Sequence, residues 1–401
     1  MASFSPSMQD VFGDLFWREG LCRACRSQSF MHRSLFPVWL IARFVWLLLA
    51  WSVIFAPRIA VGGGILVVDG DPRQVTRAVE ERIVPAEPIS AQQTEPLRVP
   101  DAPQIQQQPQ VYSGPCYWSV SSRQSSQHPR DWNGCPLDVT QRNQDGSWSQ
   151  SNIPAMVSQL QPGVPVLVCV HGSFVSAEDN CKESAEAYNA IRAAAPGCPL
   201  HVIFYTWPSD APYTYIAPVD IAVRGCRADF NGFHIAWLLS NSPDHHPVCL
   251  WGHSHGNRAV LASVQLLAGG DVEDYCFTGY RSPGKRIRVV MAAAAIDHNW
   301  LNPGERYDRV PARVEGVLNL QNRKDLPLAF YPLTRPFAHR AMARTGATMR
   351  DRSKLGPNAA KVADCDVTEL LGHAHYWPEY YSKSSIMQTA VPYVYYVGRS
   401  S

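Results

Sequence analysis

The pentapeptide GHSHG at 252–256 has the G-x-S-x-G pattern in which a serine can serve as a nucleophile. The apolar segment 248–253 is typical of a buried strand, and a helical pattern begins at Asn257. A strand, a tight turn and a helix are the context in which such a serine is exposed at a helix N-terminus. A plain Gly/Ser turn is the alternative, but the sequence favours Ser254 as the nucleophile of a covalent mechanism.

A second motif, HGSF at 171–174, follows the continuous apolar segment 164–170. In hydrolases with a nucleophile elbow, an H-G turn at this point contributes one backbone N–H to an oxyanion hole. The residue after the nucleophile contributes the other N–H. We therefore expect the oxyanion donors to be the backbone of His255 and that of Ser173, with Phe174 as the alternative to Ser173.

The order of the motifs HGSF, FYTWPS, GHSHGNR, a strand ending in Ala-Ile-Asp, NLQNRKDLPL and a late GHAHYW resembles an uncharacterised family of bacterial α/β hydrolases. The resemblance covers roughly residues 160–385. The family's elbow commonly reads HSMGNR, with Met where this chain has His255. The resemblance implies an α/β-hydrolase fold and a Ser-acid-His triad, and it implies no particular substrate.

Two aspartates after predicted strands are candidates for the acid of such a triad. Asp297 follows the strand predicted at 287–296, and Asp325 follows the strand predicted at 316–321. The resemblance favours Asp325, because the usual fold places the acid after the second of these strands and RKD matches the family's pattern. Asp297 is the alternate acid, and otherwise it can cap a helix.

The histidine of the triad comes last in the chain, which leaves His373 and His375 in GHAHYW. The family's H-x-x-Y-W spacing favours His373, and His375 is the alternate. His373 would then accept the proton of Ser254, while Asp325 orients the imidazole. The chain has 13 histidines, but it contains neither an H-E-x-x-H motif nor a pair of C-x-x-C motifs. Neither a cofactor nor a metal is therefore expected.

The elements that must position these residues alternate between strand and helix from residue 163 onward. Strands are predicted at 164–170, 201–207, 248–253, 287–296, 316–321 and 361–367, and helices at 180–195, 219–239 and 257–268. Such alternation predicts an α/β fold with a mostly parallel sheet and helices on both faces. Ligands in these sheets bind at the carboxyl ends of the strands, where the motifs lie.

Composition narrows the class of protein. The chain has 401 residues and a net charge of +2, so bulk positive charge does not drive nucleic-acid binding. With 46% apolar residues and 12 Trp, it can bury a sizeable core.

One apolar run lies far from these motifs. Residues 36–56 carry a single charge, Arg43, over 21 positions, enough to span ~30 Å of bilayer as a helix. Four arginines in the 20 residues before this run, against two in the 20 after it, place the N-terminus in the cytoplasm. From 85 to 110, 13 of 26 residues are Pro or Gln, which is typical of a linker.

The sequence therefore predicts a membrane-anchored serine hydrolase that acts on carboxylic esters at the periplasmic or outer surface. The predicted parts are a cytoplasmic tail at 1–35, a transmembrane helix at 36–57, a juxtamembrane segment and linker at 58–112, and the hydrolase domain at 113–401. An acyltransferase with the same triad and a non-catalytic anchored scaffold are the alternatives.

The substrate is expected to be a small-molecule or lipid-like acyl compound, and no lid segment is evident. Five aromatic residues near the predicted strand ends are equally good candidates for an acyl pocket and for core packing. They are Tyr205, Trp207, Tyr213, Tyr215 and Trp300.

Overall fold

The computed structural model describes residues 114–128, 137–210, 212–214, 217–335 and 337–396. The predicted tail, transmembrane helix and linker, 1–112, lie outside these ranges. None of the helices within the ranges combines the length and the apolar character that crossing a bilayer requires.

The strands give this part of the chain its frame. In chain order they are β1 (Tyr117–Ser121), β2 (Asp138–Arg142), β3 (Trp148–Ser151), β4 (Val166–Val170), β5 (His201–Thr206), β6 (Val248–His253), β7 (Asp271–Val272), β8 (Tyr275–Cys276), β9 (Ile287–Ala292), β10 (Gly316–Gln321) and β11 (Val362–Asp366). Nine of them form one sheet in the order β11-β10-β9-β6-β4-β5-β1-β2-β3. The strands from β11 to β1 run parallel, and β2 and β3 continue the sheet antiparallel. The chain therefore has an α/β fold with a mostly parallel sheet.

Eleven helical segments accompany the strands in the described residues. They are α1 (Ile153–Ser158), α2 (Ala177–Ala194), α3 (Ala217–Ser240), α4 (Gly256–Leu267), α5 (Val310–Arg313), α6 (Leu326–Ala329), α7 (Met342–Thr345), α8 (Met349–Leu355), α9 (Thr368–Leu371), α10 (Trp377–Tyr381) and α11 (Ser384–Val394). Two 3₁₀ segments lie at Tyr331–Leu333 and Gly356–Lys361.

Helices cover both faces of the sheet. Helix α4 packs on β4, β6 and β9 with α3 against it, whereas α11 packs on β6, β9 and β10 beside α2 and α10. The central strands are consequently buried along their whole length, as their continuous apolar sequences predict. Helix α2 begins after Ser176, whose Oγ accepts the N–H of Asp179 at 3.0 Å and satisfies a free helix donor.

The predicted strands and helices from residue 163 onward are confirmed with small changes at their ends. The largest change is in β9, which ends at Ala292 instead of 296. Ala293 takes a positive φ of 46°, which ends the extended backbone. The apolar residues that follow are buried in a turn beside Ser254, where Ala295 N–H donates to the Ser254 carbonyl at 3.4 Å. Their apolar character reflects that burial.

Candidate active site

The nucleophile candidate lies on the sharp turn between β6 and α4. Ser254 has a φ of 50°, a left-handed conformation that non-glycine residues seldom adopt. Its N–H donates to the Ala292 carbonyl at 3.0 Å, so β9 supports the turn. Ser254 is buried, with 8% of its surface exposed.

Glycines flank this turn because there is no space for a side chain. A Cβ on Gly252 would lie 2.7 Å from the Cα of Asn257 in the first turn of α4. A Cβ on Gly256 would lie 2.3 Å from the carbonyl oxygen of Val170 at the end of β4. The two glycines of G-x-S-x-G therefore permit close packing of the helix against two strands.

Asn257 stabilises the turn, a role that the sequence pattern did not predict. Its Nδ2 donates to the carbonyl oxygens of Ser254 and Ala292, at 3.0 and 2.9 Å. The side chain is fully buried between β9 and the turn. Its place in the GHSHGNR motif was the available signal.

Three side chains from three loops form a continuous hydrogen-bonded chain. His375 Nε2 lies 3.2 Å from Ser254 Oγ, and His375 Nδ1 lies 2.8 Å from Asp325 Oδ2. A carboxylate can only accept, so Nδ1 carries the proton and Nε2 is free to accept the serine proton. Asp325 has no exposed surface, and the His375 side chain is 14% exposed. This arrangement is the one that activates a serine.

The histidine beside Ser254 is His375, so the preference for His373 over His375 is corrected. The ring of His373 is exposed, and its Nδ1–H donates to the Lys324 carbonyl at 3.0 Å. The short helix α10 sets the other histidine in place: Glu379 Oε2 accepts the N–H groups of His375 and Tyr376 at 2.8 Å each. The spacing of residues in the sequence did not predict these hydrogen bonds to Glu379.

Of the two aspartates, the structure places Asp325 in this chain and Asp297 elsewhere. Asp325 is the N-cap of α6, and its Oδ1 accepts the Leu328 N–H at 3.0 Å, which leaves Oδ2 for the histidine. Asp297 forms a buried ion pair with Arg335 and accepts the His339 N–H at 3.2 Å. Asp297 is thus an ion-pair partner rather than the acid or the helix cap considered for it.

The loop after β4 lies over the turn that carries Ser254. A Cβ on Gly172 would lie 2.8 Å from the Cβ of Ser254, so only glycine fits where the loop crosses the nucleophile. The N–H of Phe174 donates to the Ser209 carbonyl at 2.8 Å, which excludes it as a free donor. The N–H groups of Ser173 and His255 meet no acceptor in the described part of the chain. These are the two N–H groups expected at an oxyanion hole.

The same two residues are also joined by their side chains. Ser173 Oγ lies 2.7 Å from His255 Nδ1, a contact between the loop after β4 and the start of α4. Burial lowers the pKa of His255 to about 3, so this ring is neutral at physiological pH. The hydrogen bond therefore fixes the two N–H groups relative to each other without adding a positive charge.

The aromatic candidates for an acyl pocket divide into core residues and others. Tyr205 and Trp207 are fully buried, and their polar atoms donate to Asn231 Oδ1 and to the His171 carbonyl. Trp300 is packed among arginines, with the Arg335 guanidinium 4.5 Å from its ring. Tyr213 is half-buried beside Arg227, and Tyr215 lies outside the described residues. Core packing accounts for the buried rings.

Comparisons with known proteins find partial likeness only. No protein-family model and no curated protein matches the chain. The catalytic core domain of acetyl xylan esterase from Trichoderma reesei is 15% identical over 59% of this chain and 96% of its own, with a TM-score of 0.29. A cutinase-like protein from Cryptococcus sp. is 14% identical over 59% and 98%, with a TM-score of 0.26. Similarity at this level establishes neither a family nor a function for this chain.

Proposed function

We propose that this protein is a serine hydrolase of the α/β-hydrolase fold that cleaves carboxylic esters through a covalent acyl-enzyme. The observation that carries the proposal is the chain Ser254–His375–Asp325 on a strained strand-to-helix turn. The three residues follow β6, β10 and β11 at the carboxyl edge of the parallel sheet. Their chain order, Ser, then acid, then His, is that of α/β hydrolases.

In the proposed mechanism, His375 Nε2 takes the proton of Ser254 as Oγ attacks the ester carbonyl. The N–H groups of His255 and Ser173 then donate to the oxyanion of the tetrahedral intermediate. His375 returns its proton to the leaving alcohol, and water, activated by the same histidine, releases the acid. Asp325 keeps the imidazole in the Nδ1–H form and stabilises the imidazolium.

We propose further that this domain acts at a membrane surface. The support is the apolar run at 36–56, the arginine excess before it, and the Pro/Gln-rich linker. The substrates proposed are small or lipid-like esters with acyl chains of modest length. Extraction of cell membranes at alkaline pH tests the anchor: the full chain is expected in the pellet and a variant lacking 36–57 in the supernatant.

The test of the chemistry is hydrolysis of p-nitrophenyl acetate, butyrate and octanoate by the full chain. The acetate and butyrate are expected to be cleaved, and Ser254→Ala is expected to lower kcat by about 10⁶, to the assay background. Ser263→Ala is the matched control, since Ser263 is a buried serine of α4 whose Oγ donates to the Val260 carbonyl. Equal rates for both variants would contradict the proposal.

A further inference from the structure

His253, the residue immediately before the nucleophile, contacts the loop that carries the triad histidine. His253 is buried, with 5% of the residue exposed, and its Nε2 lies 2.7 Å from the carbonyl oxygen of His375. The two residues are 122 positions apart in the chain. Their rings lie 5.5 Å apart, and the His253 ring also packs against Trp377 at 5.6 Å.

This contact fixes the tautomer of His253. A carbonyl oxygen can only accept, so Nε2 carries the proton and donates it to His375. Nδ1 is then bare, and it is buried without a hydrogen-bond partner in the described residues. A Cβ on Gly172 would lie 3.0 Å from Nδ1, so the loop after β4 closes this side of the ring.

The ring is also neutral. Burial, with the neighbouring His375 as the second cause, lowers the pKa of His253 to about 3. A neutral ring can donate to the His375 backbone without placing a second positive charge beside the imidazolium that forms during catalysis. A lysine or arginine donor at this position would oppose that imidazolium.

We propose that His253 is a positioning residue that holds the backbone of His375 through the Nε2–H···O=C hydrogen bond. This inference rests on the proposed serine-hydrolase function. His253 precedes Ser254 in the chain and belongs to β6, so the rigid strand that presents the nucleophile also fixes the general base. The hydrogen bond from His253 thereby helps to set the distance of 3.2 Å between Ser254 Oγ and His375 Nε2, together with the Asp325 contact to Nδ1 and the Glu379 contact to the backbone N–H.

Other hydrogen bonds locate the same loop without reaching the His375 carbonyl oxygen. Glu379 accepts the N–H of His375, and Asn322 Nδ2 donates to the Ala374 carbonyl at 2.9 Å. Glu379 also accepts the N–H of Tyr376, which belongs to the same peptide unit as the His375 carbonyl, so His253 and Glu379 hold opposite edges of that unit. Loss of the His253 bond is therefore expected to misplace the imidazole rather than to unfold the loop.

A matched pair of variants in the full chain tests the proposal. His253→Gln extends an amide N–H to the position of Nε2, whereas His253→Asn is one methylene shorter and cannot reach the carbonyl. Both are polar and smaller than histidine, so they share the cost of altered burial. His201→Asn is the control for replacing a buried histidine. His201 is fully buried at the N-terminal end of β5, at the edge of the sheet away from the site, and its ring accepts the Gln161 N–H.

Steady-state hydrolysis of p-nitrophenyl acetate and the rate of labelling by a fluorophosphonate are the readouts. The Asn variant is expected to lose about ten- to a hundredfold in kcat, with KM within about threefold of wild type, because a misplaced base slows chemistry and not binding. The Gln variant is expected to stay within about fivefold of wild type in kcat, because the hydrogen bond is kept. His201→Asn is expected to keep the wild-type kcat.

The outcomes separate this inference from the proposed function. A wild-type chain that neither hydrolyses esters nor labels would refute the proposed function itself. An active wild type with a folded Asn variant at wild-type kcat would overturn the role of His253 alone. A folded Gln variant that falls as far as the Asn variant would overturn it too, since the donor would then be irrelevant.

Discussion

Lowering the pH from 7.5 to 5.5 is expected to reduce the contribution of five buried histidines to the free energy of unfolding by about 7 kcal/mol, because these histidines remain neutral in the folded protein. Burial lowers the pKa of His171, His253 and His255 to about 3. Burial likewise lowers the pKa of His201 and His234 to about 4. The ordinary histidine pKa is 6.5, so at these five positions only the unfolded chain takes up protons in this interval. Burial raises the pKa of Glu183 to about 7, and proton uptake there in the folded protein offsets part of the loss.

Hydrogen bonds to the ring nitrogens explain why two of these histidines stay neutral in the folded protein. His171 Nδ1–H donates to the Gly172 carbonyl at 2.8 Å, while its Nε2 accepts the Trp207 N–H at 3.2 Å. His201 Nε2 accepts the Gln161 N–H at 2.8 Å. Protonation of either acceptor nitrogen would break its bond and leave a buried charge.

The sign and size follow from the difference in bound protons. The unfolded state binds more protons below pH 6.5, so stability is complete above that pH and is lost as the pH falls towards the folded-state values of about 3 and 4. Each histidine contributes about 1.4 kcal/mol between pH 7.5 and 5.5. The sum is comparable with the whole stability of an ordinary domain, about 5–15 kcal/mol.

Urea unfolding of the full chain at pH 7.5, 6.5 and 5.5 measures this loss. His201→Asn is expected to reduce the pH-dependent part by about 1.4 kcal/mol. An unfolding free energy that is flat between pH 7.5 and 5.5 would refute the reasoning. It would mean that the buried rings are protonated or hydrated in the folded protein.

Three further predictions concern single residues. Asp325→Asn is expected to lower kcat for p-nitrophenyl acetate by about 10⁴, because the amide favours the wrong tautomer of the imidazole. Asp297→Asn is expected to lower kcat far less, and equal losses would contradict the assignment of the acid. Gly172→Ala is expected to lower kcat/KM by about 10²–10³, because the added Cβ would displace the loop after β4 from Ser254. Wild-type activity in the folded variant would argue against that contact. Asp229→Asn is expected to lower the free energy of unfolding, measured in urea, by about 3–5 kcal/mol, because the buried carboxylate pairs with two arginines. A loss below about 1 kcal/mol would show that these ion pairs are not formed.

The fold could be predicted where the pattern of the sequence is set by burial on both faces. β6 and β10 have the predicted bounds, because their apolar runs end at polar loop residues. The hairpin strands β2 and β3 were not predicted, since both are rich in polar residues and have little buried surface, and β3 is the edge strand of the sheet. Their extended backbone comes from the pairing of β2 with β1 and of β3 with β2, which single-segment patterns do not record.

The candidate site could be predicted in part for a similar reason. Ser254 was located by a local pattern, and the resemblance ranked Asp325 first. The choice between His373 and His375 depends on which ring faces the nucleophile. That choice is made by Glu379 and His253, which contact the loop from α10 and β6. Contacts between distant segments of this kind leave no mark in the spacing of GHAHYW.

The most direct test of the central claim is labelling of the full chain by a fluorophosphonate, with the modified residue located by mass spectrometry. Label is expected on Ser254 alone, none is expected in Ser254→Ala, and His375→Ala is expected to slow labelling by about 10³-fold or more. His373→Ala is expected to label at close to the wild-type rate. Label on another residue, or a loss in His373→Ala with none in His375→Ala, would contradict the account.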